Sequence, residues 1–82
     1  MASQLLPVII RIKQRMSEDP KIRDSSHVTI SDQTKGVLMM QKHYLQIIGR
    51  VNTQEELNEI NAIVNEEAEG FDVENTVRVH YR

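Results

Sequence analysis

The stretch from Leu45 to Tyr81, LQIIGRVNTQEELNEINAIVNEEAEGFDVENTVRVHY, decides the fold. It opens on an apolar, β-branched run that closes at Gly49-Arg50-Val51, as a strand does. Thr53-Gln54-Glu55-Glu56 follows as a capping box, in which the Thr hydroxyl accepts from the N3 amide and Glu56 reaches back to the cap amide. Leu57, Ile60, Val64 and Ala68, with Ile63 alongside, then recur on one helical face, against Glu59, Asn61, Glu66 and Glu69 on the other. Gly70 suits the left-handed position that ends a helix. Val73, Asn75, Val77, Val79 and Tyr81 alternate with Glu74, Thr76, Arg78 and His80, the pattern of a half-buried strand. The order is strand, helix, strand, and such a connection within one sheet is right-handed.

Upstream, Leu5, Ile9, Ile12 and Met16, with Val8 beside them, form one apolar stripe at helical spacing. Pro7 is tolerated only in a first turn, which places the helix start between residues 3 and 6. Pro20 disfavours helical backbone at Asp19 and ends it there, with Ile22 tucking back beneath. His27-Val28-Thr29-Ile30-Ser31 reads as a strand, and Asp32-Gln33-Thr34-Lys35-Gly36 as the turn after it. Val37 to Val51 then runs without glycine or proline until Gly49, longer than the ~5–6 residues usual for a strand. A long twisted strand or a second reversal near Gln41-Lys42-His43 would accommodate it. The preferred reading is one hairpin whose tip extends beyond the sheet. Residues 1–82 therefore predict a single domain with an α-β-β-α-β order: an α+β two-layer sandwich, both helices on one face of a three-stranded mixed sheet.

Composition narrows the function classes. The chain has 82 residues, 39% hydrophobic and 27% charged, with no cysteine, so disulfides and thiolate metal sites are excluded. No apolar run approaches the ~20 residues of a membrane-spanning helix. The apolar patch Leu5–Ile10 lacks the basic region and cleavage site of a signal peptide. Two placements follow: cytoplasmic if the chain is complete as written, periplasmic or envelope-associated if it was excised from a longer exported protein. Charge is uneven. Residues 1–50 carry eight basic against four acidic side chains, and residues 51–82 two against eight.

The assembled elements resemble the BON domain, a small bacterial module. Asp19-Pro20-Lys21-Ile22 matches its D-P-x-I segment, Ile47-Ile48-Gly49-Arg50-Val51 its glycine-bearing strand, and, within Gly70 to Val79, Val73, Asn75, Val77 and Val79 the V-x-N-x-l-x-V part of its terminal run. The resemblance covers nearly the whole chain. The chain departs from the pattern in the longer segment Gln33–Tyr44 and in Phe71, where valine is common. The resemblance implies phospholipid binding or protein contacts in envelope and secretion assemblies, and no catalysis.

The residues themselves offer little chemistry. His27, His43 and His80 lie on three segments without the spacing of a metal site. Glu55, Glu56, Glu59, Glu66, Glu67 and Glu69 read as a solvated helix face rather than an acid–base pair. Ser25 and Ser26 beside His27 lack the third member of a triad, and no phosphate-binding glycine loop occurs. RNA binding of the KH type would need a G-x-x-G loop, which is absent, and stacking aromatics are scarce. Gly49 reads as a packing or bulge residue that lets the following helix approach the strand, and Asn75 as a backbone-binding turn or strand-start residue.

The sequence thus predicts a non-enzymatic interaction module without cofactor, metal, nucleic acid or small-molecule substrate, docking on a protein partner or on a second copy. The residues for this are Leu38, Met40, Tyr44 and Ile48, which alternation places on the sheet face opposite Leu45, Ile47 and Val51. The competing reading is a peripheral phospholipid-binding domain that meets the membrane surface through Arg11, Lys13 and Arg15 on the first helix.

Overall fold

Pro7 sits in the first turn of helix α1 (Leu5–Glu18), where its missing amide proton leaves no intrahelical bond unmade. The helix stops at Asp19, whose extended backbone (φ −81°, ψ 117°) is what a residue before proline adopts. The computed structural model describes residues 4–36 and 41–80. Within them α1 buries Leu5, Val8, Ile9, Ile12 and Met16, and Ile22 folds back to join them.

Strands β1 (Val28–Lys35) and β2 (Lys42–Val51) form an antiparallel hairpin in which Ile30 lies opposite Ile47 and Lys35 opposite Lys42. The turn expected at Asp32–Gly36 is strand as far as Lys35, and Lys42 and His43 are strand as well. Turn-prone residues are held extended by the ladder, and Oδ1 of Asp32 lies 3.2 Å from Nδ1 of His43 across the pair. Cross-strand pairing overrides a weak local preference. Beyond Leu45 towards the hairpin end, β2 pairs only with β1, so an arm projects from a molecule measuring 44 × 23 × 19 Å.

Helix α2 (Gln54–Glu67) starts on Thr53, whose hydroxyl accepts from the Glu56 amide at 3.1 Å. Its glycine stop works through a turn. Ala68 caps the helix, and Gly70, at φ +88°, occupies the third position of a turn closed by the Phe71 amide on the Ala68 carbonyl at 3.0 Å. The chain then returns parallel to β2 in two pieces, β3 (Val73–Asn75) beside Leu45–Ile47 and β4 (Arg78–Val79) beside Arg50–Val51. The single alternating strand expected here is broken at Thr76-Val77. Oδ1 of Asn75 accepts from the Val77 amide at 3.1 Å, while Nδ2 donates to Asn61 of α2 at 2.7 Å.

The result is the expected α+β two-layer arrangement, with mixed strand order β1-β2-β3 and β4 also on β2. Ile12, Leu45, Ile47 and Ile60 are fully buried between the layers, each burial contributing about 1.5–3 kcal/mol. Val73, expected to face inward, is 39% exposed. It pairs with Leu45 at the sheet edge, and α2 reaches β3 at the other end of that strand, at Asn75.

Gly49 corrects another expectation. At φ +140°, a Cβ there would fall on the His27 carbonyl oxygen and 2.7 Å from the Val28 Cα. What approaches it closely is the entry of β1, the neighbouring strand, and not the helix. The same His27 carbonyl accepts from the Arg50 amide at 3.3 Å, so the close approach is part of the ladder.

Candidate interaction surface

Register and alternation divide the sheet into two faces. Val28, Ile30, Leu45, Ile47 and Val51 point to the helices and are buried or packed on the core. The intervening residues face away, and no described element covers them: Thr29 opposite Ile48, Ser31 opposite Gln46, Gln33 opposite Tyr44, Lys35 opposite Lys42. On the other flank of β2, Glu74 lies beside Gln46 and Arg78 beside Arg50.

Tyr44 and Ile48 therefore share this open face, as alternation predicts. Ile48 is 43% exposed and Tyr44 half-buried, with the Lys35 ammonium 5.2 Å from its ring centroid. Gln46 stands between them, and the strand rise sets the two ~13 Å apart. Leu38 and Met40 lie outside the described residues. Among the described residues the face is polar with two apolar islands rather than a continuous apolar patch.

Its charges are placed in pairs. Lys35 and Lys42 are directly opposite each other at the arm, and Arg50 and Arg78 adjoin at the other end. Among the described residues none of these four cations is in an ion pair, whereas Arg15 and Lys21 on the helix side are. Only Glu74 brings a negative charge to the described part of this face.

The first helix separates the three cations assigned to lipid. Arg15 turns to α2, donating to Glu66 at 2.7 Å and Glu67 at 3.2 Å. The bond to Glu66 leads in holding its guanidinium above the usual arginine range, with Glu67 adding to it. Arg11 and Lys13 are exposed. So are Leu6 (51%) and Ile10 (56%), one helical turn apart on the outer side. Sequence reasoning passed over this pair because it followed the buried stripe; the i, i+4 spacing outside that stripe is the signal that finds it.

Glu56 was also misplaced, grouped with solvated carboxylates but only 2% exposed. Its Oε1 accepts from the Thr53 hydroxyl at 3.0 Å, and its Oε2 accepts from the Asp24 amide at 3.1 Å instead of the cap amide. The carboxylate thus ties the 19–27 linker to the start of α2. Among the described residues no buried side-chain nitrogen or oxygen lacks a partner. Both of its oxygens accept hydrogen bonds that hold the local structure.

A shallow cleft lined by Arg15, Glu18, Asp19, Pro20, Lys21 and Glu59 lies between the helix ends, with Lys21 3.5 Å from Glu59. It brings together matched charges and no nucleophile beside a base. His43 meets Asp32, and among the described residues no three His, Cys, Asp or Glu side chains group as a metal ion requires. No helix of the described residues is long and apolar enough to cross a membrane. Comparisons with protein-family models, curated proteins and solved structures return no match.

Proposed function

We propose that the chain is a non-catalytic interaction module, of the kind its BON-like sequence pattern implies, which docks a protein partner or a second copy of itself on the open face of the sheet, within a bacterial envelope or secretion-type assembly. One observation carries this reading: a sheet face that no described element covers, on which a 43%-exposed isoleucine and a half-buried tyrosine flank Gln46. Two-layer folds leave such a face wet by default, and exposed apolar side chains on it suit contact.

A photo-crosslinking residue at Ile48, compared with one at Asn58 on the outside of α2, tests it in cells of the source organism. Protein adducts at position 48 and none at 58 support the reading; equal yields at both, or none at 48, reject it. Light scattering on the purified chain across concentrations distinguishes a second copy from a foreign partner.

A second reading has its own observation. Leu6 and Ile10 are exposed next to Arg11 and Lys13, a combination suited to an anionic lipid surface. Arg15, paired with Glu66 and Glu67, does not contribute. Co-sedimentation with anionic vesicles that is lost in Leu6→Glu/Ile10→Glu and unaffected by Ile48→Lys would favour lipid over protein.

A further inference from the structure

The paired cations of the open face specify what lies on it. We infer that the partner is an acidic amphipathic helix of another protein, seated along β2 with carboxylates towards both ends and its apolar side on Tyr44 and Ile48. This rests on the reading that the open face is a protein-docking surface and adds the chemistry of the partner.

The inference starts from register. Like charges directly opposite on adjacent strands repel, by a few tenths of a kcal/mol up to about 1 kcal/mol per pair. Two such pairs occur on one face, Lys35 with Lys42 and Arg50 with Arg78. Elsewhere among the described residues some cations do meet acids, Arg15 with Glu66 and Glu67 and Lys21 with Glu59, whereas none of these four does. The repulsion on the open face is relieved by an anionic partner spanning both pairs.

Spacing then selects the shape. Lys42 and Arg50 are separated by ~27 Å along β2. A helix covers that distance in about 18 residues, and a helix is the layer that naturally packs on a bare sheet face. Between the cationic ends stand Tyr44, Gln46 and Ile48, offering apolar contact at the centre and a hydrogen-bonding amide. A nucleic-acid strand would instead want a row of stacking aromatics, of which the described part of this face has Tyr44 alone.

The test is a titration of the isotope-labelled full chain, followed by amide chemical shifts. The probe is a synthetic helical peptide of about 18 residues, glutamate near both ends and leucine and alanine at the centre. The controls are the same peptide with lysine for glutamate, oligothymidylate, and phosphatidylglycerol vesicles. Shifts confined to Lys42 through Arg50 and their neighbours on β1, β3 and β4, with affinity falling about tenfold or more at ~0.5 M salt, are expected. Lys35→Gln/Lys42→Gln and Arg50→Gln/Arg78→Gln should each weaken binding by about tenfold. Equal binding of the lysine peptide, shifts elsewhere, or tighter binding of the oligonucleotide or vesicles overturns the inference. The docking reading is tested apart from it. Adducts at position 48 that persist when all four cations are changed to Glu leave that reading standing and overturn this one; absence of adducts in the unaltered chain overturns both.

Discussion

The two faces of β2 are written in alternate residues of one strand, yet they follow different rules. On the helix side, Leu45 and Ile47 are fully buried and Val51 nearly so. On the open side, Gln46, Ile48 and Arg50 meet solvent, and Arg50 adjoins another cation, Arg78, rather than an acid. Stability resides in one parity and the proposed docking surface in the other, so substitutions one residue apart should report on different properties.

The hardest blow to that division falls at Gly49. Gly49→Ala places a methyl group against backbone of β1 at a positive φ, and the expected loss is about 4 kcal/mol or more, read by chemical denaturation. A loss below about 1 kcal/mol would mean that β1 enters elsewhere. Ile47→Ala, on the buried parity, should cost about 3 kcal/mol and leave peptide binding intact once the protein is kept folded. Glu56→Ala should cost about 1–3 kcal/mol, because the Asp24 amide and the Thr53 hydroxyl lose their acceptor. Ile48→Lys, on the open parity, should shift stability by no more than about 0.5 kcal/mol while abolishing crosslinks through that face. A large destabilisation there would erase the distinction between the faces.

The smallest effect is electrostatic. The Ser26 hydroxyl donates to Asp24 at 2.6 Å, and together with the Ser26 amide it holds the Asp24 carboxyl below its ordinary range. A carboxyl depressed in the folded state stabilises above its unfolded pKa, and that contribution is lost as pH falls through the folded value. Ser26→Ala should therefore raise the Asp24 pKa towards normal in an NMR titration. It should also make stability less sensitive to acidification than in the parent chain.

Much of this was legible in the residues because local chemistry and tertiary structure agree. Pro7 and Pro20 bracket α1, Thr53 caps α2, and the parity of Leu45, Ile47 and Val51 points to the helices. The readings that failed are those in which a distant partner decides. Asp32-Gln33-Thr34-Lys35 has turn chemistry, but β2 supplies a ladder across from it. Glu56 looks solvated until the Asp24 amide, 32 residues away, is placed on its carboxylate. Val73 has the pattern of an inward residue, but the helices stop short of the edge it occupies. The cation pairs of the candidate surface were invisible for the same reason: Lys35 and Lys42, or Arg50 and Arg78, become neighbours only through register.

The interruption at Thr76-Val77 has a consequence for how the domain comes apart. The hairpin joins eight register pairs between segments close in sequence, whereas the closing strand joins three and then two across the whole of α2. Short, non-local ladders are the last to assemble and the first to open. The amides of Thr76 and His80, bonded to the Ile47 and Val51 carbonyls, should exchange with solvent deuterium ahead of those in the hairpin. When that strand lifts, the inner edge of β2 is left bare, and the same stretch from a neighbouring molecule can take its place. The interruption at Thr76-Val77 thus makes the closing strand the first part of this sheet to open.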